Sequence, residues 1–198
     1  MEKRRYLVLV QGTHGWGDQW WRNGLLSAFS QRGFMGLNPD EHFVWDTKLD
    51  GLIGSNNGWE AAGLALKWYV RANQGVWKQP LVVVCHSHGG NVAAYAAQHG
   101  LWIDHLVTLM MPVRGDMEVV YAEARLNVGR WTHIHGGRED WLQIAGEFMD
   151  GRFGAYRQVG VADENIKIRG AGHDTLLEPD AWAANNLWER VFHDNAGE

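Results

Sequence analysis

The chain has 198 residues, 45% hydrophobic and 21% charged, which suits a single domain spanning 1–198 around a sizeable apolar core. Its net charge is -5 and its one basic run is Lys3-Arg4-Arg5, so composition gives no electrostatic footprint for nucleic acid. The apolar segment 6–10 is too short for a signal-peptide core or a bilayer span, and the lone Cys85 excludes an intrachain disulfide. The expectation is a cytoplasmic protein with no integral membrane segment.

Strand-like and helix-like segments alternate from one end to the other. Strands are predicted over 6–10, 42–45, 81–84, 105–110, 131–135 and 165–169, and helices near 20–31, 59–72, 90–99, 116–126, 140–149 and 179–192. That order predicts an α/β fold with a mostly parallel sheet of about six strands and helices on both faces. The strand-to-helix loops then open together at the carboxyl edge of the sheet, where sites in such folds form.

The third of those loops is the most informative. Leu81-Val82-Val83-Val84 reads as a strand buried on both faces, and Asn91-Val92-Ala93-Ala94-Tyr95-Ala96-Ala97-Gln98 reads as a helix. Between them lies Cys85-His86-Ser87-His88-Gly89-Gly90, which puts Ser87 on a sharp turn that tolerates only small neighbours. Backbone amides at the helix start then point toward the serine oxygen. A serine that merely caps a helix would give similar letters, so the motif needs partners. A serine hydroxyl is barely ionised at neutral pH; as a nucleophile it requires an imidazole to take its proton and a carboxylate to orient that imidazole. Gly170-Ala171-Gly172-His173-Asp174 ends the last strand in a glycine-rich turn and offers His173 as the base. Gly136-Gly137-Arg138-Glu139-Asp140 follows the fifth strand and offers Asp140 as the acid, with Glu139 and Asp116 as rivals.

These residues resemble the α/β-hydrolase superfamily, in particular its small esterase-like and lipase-like serine hydrolases without a large lid. The resemblance rests on Cys85-His86-Ser87-His88-Gly89 as a variant of G-x-S-x-G, on Gly137-Arg138-Glu139-Asp140, and on Gly172-His173-Asp174-Thr175-Leu176-Leu177-Glu178-Pro179, in the superfamily's order of nucleophile, acid and histidine. It implies a carboxylic ester hydrolase that works through an acyl-enzyme on Ser87, without cofactor or metal. It also implies an oxyanion hole from the amide of His88 and one from the loop after the first strand, Thr13 or alternatively Trp16. Cys85 replaces the first glycine of the pattern, and Gln11 stands where relatives place a histidine. Only one helix's worth of chain separates Met110 from Trp131, where relatives insert a cap, so an accessible cleft is expected. Trp16, His86, Leu52 and Ile53 are its expected substrate-binding lining, and a small-molecule or acyl-ester substrate its expected partner.

Two other classes fit parts of the sequence. His86-x-His88 and His133-x-His135 are spaced as in some zinc sites, which would make a metal-dependent hydrolase. A non-catalytic binding module on the same fold is the other. Of the twelve tryptophans, Trp68 and Trp188 fall at helical core spacing, whereas Trp16, Trp20, Trp21 and Trp59 lie in or beside glycine-rich loops. Trp182 and Trp188 read as core or as a contact between copies of the chain, which leaves a homo-oligomer open.

Overall fold

A computed structural model describes residues 5–12, 19–38, 42–45, 56–74, 79–136 and 158–192. In chain order these form β1 (Arg5–Val10), α1 (Gln19–Ser30), β2 (Phe34–Gly36), α2 (Asn56–Asn73), β3 (Leu81–His86), α3 (Gly89–Gln98), β4 (Ile103–Leu109), α4 (Glu118–Arg125), β5 (Val128–His135), β6 (Glu164–Lys167), α5 (Pro179–Ala184) and α6 (Leu187–Phe192). The six strands make one parallel sheet in the order β2-β1-β3-β4-β5-β6. Among the described residues no helix is long and apolar enough to cross a membrane.

Each central strand divides its side chains between two apolar layers. Val8, Val10, Val83 and Cys85 join one layer with residues of α2, α3 and α4; Leu7, Leu9, Val82 and Val84 join the other with residues of α1, α5 and α6. Every residue of β3 is buried, which is why its sequence runs apolar without alternation from Leu81 to Cys85. The second layer is closed by aromatic rings. Phe29 meets Trp182, Trp188 and Phe192 edge-on at 5.6, 5.0 and 5.4 Å, and Trp182 donates its indole N–H to the Leu176 carbonyl at 2.9 Å. Trp182 and Trp188 are therefore core residues.

Four expectations need correction. The segment predicted as a strand over 42–45 is not one of the six strands of the described sheet; the second strand is Phe34–Gly36. Phe43 and Trp45 are buried and Val44 is exposed, so the alternation reports side-chain packing of a segment that joins no ladder. The helix predicted over 179–192 breaks into two at Asn186, whose φ of 53° ends the first helical run in the left-handed region that asparagine tolerates. Trp68, expected in the core, is 62% exposed and lies beneath the Arg71 guanidinium, while Trp59, expected at a loop, is fully buried in α2. The helix predicted over 140–149 lies outside the described residues.

His105 on β4 is buried and bonds the Thr132 hydroxyl through Nε2 at 2.9 Å. Burial pushes its imidazole down from 6.5 to about 3, and the charges of Arg130 and Arg5 add to the shift. Between those values the unfolded chain binds a proton that the folded chain refuses, so this residue contributes stability above pH 6.5 that is lost as pH falls toward 3. Urea unfolding from pH 7 to 4 should show a shallower loss of stability in His105→Gln than in the wild type. Equal slopes would contradict this.

Candidate active site

The chain leaves β3 at His86 and enters α3 at Gly89, so Ser87 and His88 make the whole turn. Ser87 takes φ 52°, a left-handed conformation that costs a residue with a side chain roughly 1–2 kcal/mol. Its amide donates to the Leu109 carbonyl at 2.9 Å, extending the β3–β4 ladder one step into the turn, and its carbonyl accepts from the Gly90 amide at 3.0 Å. Cys85 leaves this geometry intact because it still belongs to the strand, where its side chain is fully buried and burial raises its thiol well above the ordinary range.

Two glycines let other segments close on the turn. A Cβ on Gly12 would lie 2.6 Å from Ser87 Cβ, so the backbone after β1 rests directly against the serine. A Cβ on Gly89 would lie 2.5 Å from the Gln11 carbonyl oxygen, so the start of α3 packs against the same loop. That loop is pinned from outside by the Trp45 indole, which donates to the Gln11 carbonyl at 2.8 Å. On the opposite side, buried Asn91 of α3 accepts from the Tyr121 hydroxyl of α4 at 2.8 Å.

The structure brings His173 to this edge. Its ring lies 4.7 Å from that of His86, the residue before Ser87, and its carbonyl oxygen lies 3.0 Å from His86 Nε2. A carbonyl only accepts, so His86 Nε2 carries the proton and donates. Asp174 Oδ1 stands 3.8 Å from the same nitrogen, although sequence reasoning gave Asp174 no role; its position directly after His173 in the glycine-rich turn was the available signal. Gly12 was likewise missed, and its signal was a glycine two residues past the end of β1.

Other expected residues have other neighbours. His88, half-buried, packs its ring against Trp59 at 4.7 Å while His86 faces His173, so the two rings of the first histidine pair go to different neighbours. His133 and His135 stack in parallel at 5.6 Å, both buried on β5, with His133 Nδ1 2.9 Å from the Thr108 hydroxyl. Asp116, a rival acid, receives two hydrogen bonds from Arg114 at 3.1 Å. Between β4 and β5 the chain makes a short turn at Gly115–Met117 and then α4, leaving no room for an inserted cap there. Thr13, Trp16, Leu52, Ile53, Glu139 and Asp140 lie outside the described residues, as do the side chains of Trp20 and Trp21.

No protein-family model and no curated protein matches the sequence. Solved structures do match. A predicted CIB-like hydrolase from Thermoplasma acidophilum superposes with a TM-score of 0.58 at 14% identity, over 94% of this chain and 86% of that one. The mature lipase of Bacillus licheniformis gives 0.58 at 15% identity, over 94% and 92%. A candidate α/β-hydrolase from Agrobacterium tumefaciens gives 0.52 at 13% identity, over 100% and 90%. The fold is the α/β-hydrolase fold. At these identities the likeness is one of fold alone.

In the α/β-hydrolase fold of this chain the left-handed serine has a direct stability signature. At an ordinary site alanine is more stabilising than glycine, but at φ 52° the order reverses. Thermal or urea unfolding should find Ser87→Gly more stable than Ser87→Ala by about 1 kcal/mol; Ser87→Ala equal or superior would mean that the turn is not held left-handed in solution.

Proposed function

We propose that the chain is a serine hydrolase that cleaves carboxylic esters through an acyl-enzyme on Ser87, with His173 as base and Asp140 as its orienting acid. The observation that carries this reading is the turn itself: a buried, left-handed Ser87 between a buried strand and a helix N-terminus, with the His173 loop packed against its neighbour His86. Strain of that kind persists only where surrounding contacts over-determine it, and such sites are commonly functional. The lipase and hydrolase among the structural neighbours agree in class with this chemistry.

In the proposed reaction His173 takes the Ser87 proton as the serine oxygen attacks the ester carbonyl. The amide of His88, at the N-terminal end of α3, and that of Thr13 stabilise the oxyanion. The first is favoured by its place directly after Ser87, the second by the contact of neighbouring Gly12 with the serine. His173 then passes its proton to the leaving alcohol and activates a water that releases the acid. Asp140 holds the imidazole in the tautomer that accepts from Ser87 and stabilises its charged form. Substrate binding is assigned in this reading to Trp16, Leu52 and Ile53. His86 borders the substrate cleft and, through its bond to the His173 carbonyl, keeps the base loop in place.

Steady-state hydrolysis of p-nitrophenyl butyrate tests the assignment. Ser87→Ala should lower kcat by ~10³-fold or more while leaving the circular dichroism spectrum unchanged. Activity within tenfold of wild type would rule Ser87 out as the nucleophile. Asp140→Asn should be similarly damaging and Asp116→Asn mild, because the Asp116 carboxylate is engaged by Arg114; the opposite pattern would move the acid to Asp116.

A further inference from the structure

We propose that His86, His173 and Asp174 form an inhibitory site for a divalent transition-metal ion of the zinc type, one that takes the base out of the reaction. The inference rests on the reading of His173 as the base. Each of the three residues offers one donor atom, and these atoms all lie within 4.8 Å of one another. The best-defined pair, His86 Nε2 and Asp174 Oδ1, is 3.8 Å apart. Zinc with bonds of about 2.0–2.1 Å in tetrahedral geometry sets its ligand atoms about 3.4 Å apart, so that pair must close by only about half an ångström.

The three side chains are suited to that closure. His86 is buried at the end of β3 and serves as a fixed anchor, His173 is half-buried on the loop after β6, and the Asp174 side chain is 70% exposed and turns readily. Two imidazole nitrogens and a carboxylate oxygen suit zinc, copper or nickel, whereas magnesium and calcium require mainly oxygen ligands. With three ligands among the described residues and an exposed rim, a fourth position is open to water or another donor. Of the described interactions, binding displaces the hydrogen bond of His86: its Nε2 proton must move to Nδ1, giving up the bond to the His173 carbonyl. That is one hydrogen bond, small beside the coordination of three ligands.

Coordination disables His173 whichever ring nitrogen it uses. If the metal takes the nitrogen that faces Ser87, no lone pair is left for the serine proton. If it takes the other, the nitrogen toward Ser87 carries the ring's proton and donates instead of accepting. Metal-loaded chains would therefore bind ester but fail to acylate, and a chelator would restore them. This site differs from both histidine pairs expected from sequence, because His88 turns to Trp59 and His133 stacks on His135.

The test uses ZnCl2 on the full chain, read by competition with a chromophoric chelator and, separately, by p-nitrophenyl butyrate hydrolysis. The expected result is one zinc ion per chain, loss of hydrolysis in step with occupancy, and recovery with EDTA. Asp174→Asn, a residue with no part in the proposed reaction, should keep its metal-free rate within about twofold and need roughly tenfold more zinc for both binding and inhibition. Zinc binding or inhibition unchanged in Asp174→Asn, or no saturable binding, would overturn the proposal. A chain that binds zinc in an Asp174-dependent way but hydrolyses no ester would keep the site and reject the esterase reading.

Discussion

The backbone of Ser87 is held at φ 52° by contacts that arrive from three directions: the Leu109 carbonyl from β4, the Gly90 amide from α3, and the Gly12 backbone from the loop after β1. Left-handed geometry at a residue with a side chain is unfavourable by itself, so it exists here because these partners leave the chain no alternative. Much of the surrounding sequence follows from that constraint. Gly12 and Gly89 have no Cβ because one would collide with Ser87 or with the Gln11 carbonyl. The β3 strand is apolar from Leu81 to Cys85 because both layers of the sheet press on it, and that burial fixes the strand end from which the turn departs.

The same turn determines which groups can meet the serine. A parallel sheet sends its β1, β3, β4 and β6 loops to one edge, so residues distant in sequence come to the edge that holds Ser87 by topology alone. His173 arrives in this way, and its loop is tied back to the turn by the hydrogen bond from His86. The arrangement also explains where the histidine pairs read from sequence are placed. Beyond the end of β3 the extended backbone becomes a turn, so the alternation that would have put His86 and His88 on one side stops at His86. On β5 the alternation persists, and it buries His133 and His135 as a stacked pair, with His133 beside the Thr108 hydroxyl that Trp131 also bonds.

The fold was legible because its signals are strong and local: the four-residue apolar run at 81–84, the alanine-rich helix after it, and glycine turns at the ends of β3, β5 and β6. The short edge strand Phe34–Gly36 was not legible, since three residues ending in glycine carry no periodicity, and the better pattern at 42–45 describes burial rather than pairing. Trp68 misled for a related reason. Helical spacing alone does not tell which face of α2 meets the sheet, and Trp68 falls on the outer one. At the site, Ser87 and His173 could be read from turn chemistry, but Asp174 and Gly12 matter through contacts between loops that only the three-dimensional arrangement brings together.

The central claim is that the strained serine is a reactive one. Incubation of the folded protein with a fluorophosphonate, followed by peptide mapping by mass spectrometry, tests it most directly. The account predicts a single covalent adduct per chain on Ser87, absent after thermal unfolding. An unmodified Ser87 in the folded protein, or an adduct only on another residue, would contradict it.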